Sequence, residues 1–111
     1  MRLSDIEVVE TVGAITVTEL RVWVREGWIT PQVEDSQPVF DKIDVARIRL
    51  VCQLRDELDV GDDAVPVILS LMDQLYGLRR ELKWLAHAIG EQPDTVREQV
   101  RDAYRAQMRG S

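Results

Sequence analysis

The sequence predicts a mainly α-helical chain: a compact head of short helices with a small β-hairpin, followed by a long coiled-coil-type helix and a C-terminal helix. Three features carry that prediction. Residues 4–27 hold two short amphipathic segments, each opened by a capping residue and closed by a glycine. Residues 29–40 alternate on either side of EDSQ, as two short strands and their turn would. From Ile68 onward, large aliphatic residues recur at the alternating 3 and 4 spacing of a heptad. The 111 residues suffice for one modest core and a protruding helix, divided as a head over residues 1–67 and a dimerisation and C-terminal region over 68–111. No internal repeat or low-complexity segment is expected.

SDIEVVETV, residues 4–12, begins with a Ser or Asp cap and places Ile6, Val9 and Val12 on one side of a short helix that Gly13 ends. In TVTELRVWVRE, Thr16 followed by Glu19 has the spacing of a capping box, and Leu20, Trp23 and Val24 form the apolar face. Two short helices joined by a tight glycine-containing turn make a helix-turn-helix unit. Gly27 closes the second helix and Pro31 stops it resuming. Trp28 is expected to be half-buried beneath the hairpin, whose strands would be Ile29–Val33 and Pro38–Phe40. Asp41 or Asp44 can cap a third helix with Val45, Ile48, Val51, Cys52 and Leu58 inward. After the break at Val60–Asp63, Asp62 or Asp63 can cap a fourth helix, with Pro66 tolerated in its first turn.

The fourth helix has the clearest periodicity. Ile68, Leu75, Leu82 and Ile89 fall at heptad position a, and Leu71, Leu78 and Leu85 at d. This seam predicts a homodimer, the competing reading being a stripe packed on its own domain. Trp84 falls at position c, off the seam, and is expected to be covered within the chain rather than to anchor a partner. Past Pro93, DTVREQVRDAYRAQM predicts a last amphipathic helix with Val96, Val100, Ala103 and Tyr104 inward.

Charge is unevenly distributed. Residues 1–67 carry seven Arg/Lys against fourteen Asp/Glu, and residues 68–111 carry seven against six. The whole net charge of −6 therefore comes from the head, which would repel a nucleic-acid duplex instead of neutralising its phosphates. The chain holds one histidine, His87, at the outward position f, and one cysteine, Cys52, inside an apolar run. No HExxH, CxxC or glycine-rich phosphate loop occurs, so no enzyme activity, cofactor or metal is expected. Neither an export signal nor a membrane-length apolar run is seen, and a lone cysteine suits a reducing compartment, so a cytoplasmic protein is expected.

The order of elements resembles the MerR-like winged helix over roughly residues 4–90. TVTELRVWVREGWITP is similar to the run from the recognition helix of that family through its closing Gly and Pro, with Leu20, Arg21, Gly27 and Pro31 at matching positions. DNA binders of that family carry basic residues early in that helix and in the wing, and an aromatic directly after the matching arginine: here stand Thr18, Glu19 and Val22, and the wing reads VEDSQ. Arg21 is left as the one residual DNA contact. The stretch VARIRLVCQLRDELDVGDDAVPVILSLMDQLYGLRRELKWL resembles, more specifically, the CbpM-type chaperone modulators, with LSLMDQLYGLRRELKWL as its most specific part.

That resemblance implies a non-enzymatic regulator that binds the J domain of a CbpA/DnaJ-like co-chaperone and inhibits its action with Hsp70 (DnaK). J domains present a basic helix, which an acidic head would suit. Charge density nominates Glu34, Asp35, Asp59, Asp62 and Asp63 as the partner-binding surface. The alternative is a MerR-type DNA-binding transcriptional regulator, and a third, an excisionase-like accessory factor, meets the same charge objection.

Overall fold

The computed structural model describes residues 1–110 and shows the mainly helical class expected. Helices α1 (Asp5–Val12) and α2 (Val17–Arg25) precede strands β1 (Gln32–Glu34) and β2 (Gln37–Val39). Helices α3 (Lys42–Asp56), α4 (Val65–Gly90) and α5 (Asp94–Gly110) follow.

Three capping boxes start the helices of the head. Ser4 with Glu7, Thr16 with Glu19 and Asp41 with Asp44 each satisfy the amides that an α-helix leaves open at its N-terminus. At the other end of α2 the chain forms a Schellman motif. Gly27 takes φ +81° and the Trp28 amide donates to the Trp23 carbonyl at 2.9 Å. The apolar contact that accompanies such a motif is the pair Trp23–Trp28, with ring centroids 6.0 Å apart. Trp28 is thereby buried, more deeply than its place after a helix-ending glycine suggested.

The hairpin is antiparallel, with Gln32 opposite Val39, Val33 opposite Pro38 and Glu34 opposite Gln37. Its turn is only Asp35–Ser36, both at positive φ (50° and 62°), the backbone of a type I′ turn. The first strand starts later than the sequence suggests, Ile29 being fully buried in the core, and the second starts one residue earlier, at Gln37. Leu3 and Phe40 exchange two backbone hydrogen bonds of 2.8 Å, fixing the N-terminal segment against the base of the wing.

Residues Met1–Ser70 form one compact unit and a second begins at Leu71. The core of the first joins α1, α2, the hairpin base, α3 and the start of α4 through Val8, Leu20, Trp23, Phe40, Ile48 and Val65, among others. Two inward assignments change. In α1, Val8 is fully buried and Ile6 is exposed, because a two-turn helix carries too few apolar positions to fix its phase. Leu58 is 68 % exposed: Asp59 turns to φ +53° and the Val60 amide closes on the Leu54 carbonyl at 2.8 Å, so Val60 packs on the core instead.

Among the described residues of the second unit no large side chain is buried. The seam residues Leu71, Leu75, Leu78, Leu82 and Leu85 are between 55 % and 64 % exposed in the single chain. Trp84 is exposed too, contrary to the expectation of cover within the chain, with the Arg80 guanidinium 5.9 Å from its ring centre. Helix α5 buries none of Val96, Val100, Ala103 and Tyr104, with Val96 alone of the four half-buried. Its sequence is also a repeat that was not expected, DTVR-EQVR-DAYR-AQMR from Asp94 to Arg109. Among the described residues, no helix is long and apolar enough to cross a membrane.

Candidate functional site

In the helix-turn-helix unit, α2 presents Thr18, Arg21 and Arg25 outward, at spacings of 3 and 4 that keep them on one face. Arg21 already carries a counter-ion, although its side chain stays exposed. Its Nη2 lies 3.2 Å from Asp5 Oδ2, in the first turn of α1, where the helix N-terminus also favours the carboxylate. The pair borders a groove of about 320 Å³ between α1, α2 and β2, floored by Leu20, Val24, Pro38 and Phe40.

The wing repeats this arrangement. Glu34 is ion-paired with Arg2, which the Leu3–Phe40 bridge brings alongside β1. Asp35 stands at the tip of the turn, exposed. Sequence reading missed both pairings, and no local signal announces them, since only the folded topology brings Arg2 to Glu34 and Arg21 to Asp5.

Deeper in the head, Arg55 at the end of α3 makes the densest set of contacts. Its Nη2 donates to the Ala14 carbonyl at 2.9 Å and its Nε to Asp56 at 2.7 Å. It is also paired with Glu19 and lies 5.4 Å from the Trp23 ring centre. The bond from Arg55 holds the Asp56 carboxyl below the usual aspartate range and pushes the Arg55 guanidinium up. Arg47 donates from Nε to the Trp28 carbonyl. Among the described residues of the head, Arg25, Lys42 and Arg49 are the cations without an ion pair or hydrogen bond.

Asp59, Asp62 and Asp63 occupy the connection between α3 and α4, all exposed. The Asp63 carboxylate lies over Gly61, where an added Cβ would sit 2.9 Å from its Oδ1. The five nominated carboxylates therefore fall into two groups on separate connections of the head, the wing and the α3–α4 turn.

The remaining chemistry is sparse. Burial pushes the Cys52 thiol up, which leaves it protonated at neutral pH and a poor nucleophile. Burial also raises the Asp44 carboxyl. His87 is exposed, with Nε2 3.0 Å from Glu91 Oε1. No group of His, Cys, Asp or Glu among the described residues is arranged to hold a metal ion.

No curated protein and no solved structure matches the chain at a significant level. A family model does: that of the MerR HTH family regulatory proteins, over residues 5–87. The match runs from the first residue of α1 through the wing and α3 and along nearly all of α4, and the chain belongs to the MerR helix-turn-helix family of regulatory proteins.

Proposed function

We propose that this member of the family is a non-enzymatic, homodimeric chaperone modulator. Its acidic head binds the J domain of a CbpA/DnaJ-like co-chaperone and inhibits the action of that co-chaperone with Hsp70 (DnaK). The observation that carries this reading is the state of the surface that would face DNA. Arg21 is held by Asp5, the wing's Glu34 has Arg2 as its counter-ion, and the wing carries no cation of its own. A duplex interface draws on several phosphate contacts and would have to break the Arg21 pair to gain one. The resemblance of residues 45–85 to CbpM-type modulators supplies the partner, and the carboxylates of the α3–α4 connection suit a basic helix.

Replacing Asp59, Asp62 and Asp63 by Lys should remove binding to a purified J domain in titration calorimetry at low salt. Unchanged affinity would exclude the connection as the docking surface. The exposed heptad seam supports the dimer, because Ile68 to Ile89 maintain an a/d pattern whose leucines from Leu71 to Leu85 stay exposed.

A DNA-binding regulator is the second reading, favoured by the family itself and by the unpaired Arg25 on the outer face of α2. Retention on heparin at low salt separates the two, since an acidic protein-binding head should flow through.

A further inference from the structure

Helix α5 carries a surface that neither reading uses. Its four-residue unit, repeated from Asp94 to Arg109, interacts with helix geometry in a definite way. Residues four apart climb about 6 Å and drift only about 40° around the axis. The repeat therefore builds parallel ridges: an apolar one of Val96, Val100, Tyr104 and Met108, and beside it one of Arg97, Arg101, Arg105 and Arg109. An acidic ridge of Asp94, Glu98 and Asp102 lies on the far side of the arginines. Tyr104 and Met108 are 64 % and 60 % exposed, and all the arginines but Arg97 are exposed. Arg97 is taken up by Asp94 and the Gly90 carbonyl. Among the described residues, Arg101, Arg105 and Arg109 have no partner.

We propose that α5 is a docking surface for an acidic amphipathic helix of a partner protein. Ridges at a spacing of four pack into the grooves of a helix with the same spacing, crossing at about −50°, the commonest class of helix contact in globular proteins. The partner seats its apolar ridge in the groove between Tyr104 and the arginines, and its carboxylates, four residues apart, meet Arg101 and Arg105. Carboxylates are the groups an arginine ridge pairs with in forked geometry, and Tyr beside Arg is the composition of an interface hot spot.

Other occupants fit less well. A flat anionic membrane would touch only part of a ridge that winds by about 120° from Val96 to Met108, and the ridge has no Leu, Phe or Trp to insert. A nucleic acid would meet the acidic ridge running next to the arginines. A second copy of α5 brings no carboxylate to the groove. Antiparallel pairing opposes arginine to arginine, and parallel pairing opposes it to the Thr95, Gln99 and Ala103 side. The inference is independent of the J-domain reading and of the α4 seam.

The test uses the full chain and two synthetic helical peptides of one composition. In one, leucines four apart run beside glutamates four apart; in the other the same residues are shuffled. Fluorescence anisotropy should show the ridge peptide binding at least about tenfold tighter than the shuffled one. Arg101→Glu with Arg105→Glu should abolish that preference, Arg101→Lys with Arg105→Lys should retain most of it, and Tyr104→Ala should weaken it by about tenfold. Circular dichroism of each variant separates lost contact from lost helix, and Tyr104→Ala keeps the test open if the charge reversal unfolds α5. Equal binding of both peptides overturns the proposal. So does arginine-dependent binding to phosphatidylserine vesicles or duplex DNA in place of the peptide, or a dimer that Tyr104→Asp converts to monomer.

Discussion

The two units of this chain use similar proportions of apolar sequence in opposite ways. Every buried hydrophobic residue lies between Val8 and Leu69, whereas the leucines, the tryptophan and the tyrosines that follow are on the surface. The first unit owes its structure to a core; the second owes its helices to local propensity, to the Arg97–Asp94 and His87–Glu91 pairs, and to whatever its exposed faces later meet. Hydrophobic content alone therefore says little about where a core is. The periodicity of that content, and whether another element lies opposite, decides it.

The contrast can be broken from either side. Leu78→Asp with Leu82→Asp should abolish self-association in sedimentation velocity while leaving the thermal unfolding of the head unchanged, because neither residue is a member of its buried core. A dimer that survives would mean that the seam is not the interface. Trp23→Ala should act on the other unit only, costing about 3–5 kcal/mol in denaturant unfolding, enough to unfold most of the head. Thr16→Ala should cost about 1 kcal/mol by opening the capping box of α2.

The smallest effect is expected at Asp44, and it depends on pH. A folded-state pKa above the ordinary value means that the fold binds this proton more tightly than the unfolded chain does. The resulting stabilisation is complete below the ordinary aspartate range and is lost as pH rises through the raised value. At neutral pH Asp44→Asn, which keeps an acceptor for the Asp41 amide, should match the parent within about 0.5 kcal/mol, and the parent should gain on it as the medium is acidified through that range.

The order and type of the elements could be read from the sequence because the capping boxes at Ser4, Thr16 and Asp41 and the glycine at residue 27 are local chemistry. Leu58 could not be placed, since its direction depends on Asp59 entering the left-handed region, which no neighbour forces. Trp84 and the apolar face of α5 failed for a different reason: a pattern shows that a face is apolar but not what covers it. Among the candidate site residues, the carboxylates were visible as charge. The counter-ions of Glu34 and Asp5, which define the surface that remains, depend on contacts between residues far apart in sequence.

Arg55 gives the head a mechanical property. One guanidinium grips the turn at Ala14, the first turn of α2 at Glu19 and its own helix end at Asp56, with Trp23 beneath it. The end of α3, where the acidic connection begins, is riveted to the helix that leads into the wing. The acidic connection at Asp59–Asp63 therefore starts from a helix end that is tied to the turn before α2 and to α2 itself. Under the proposed docking, a partner that engages both acidic connections at once needs cations spaced to match the separation that this tie helps to set.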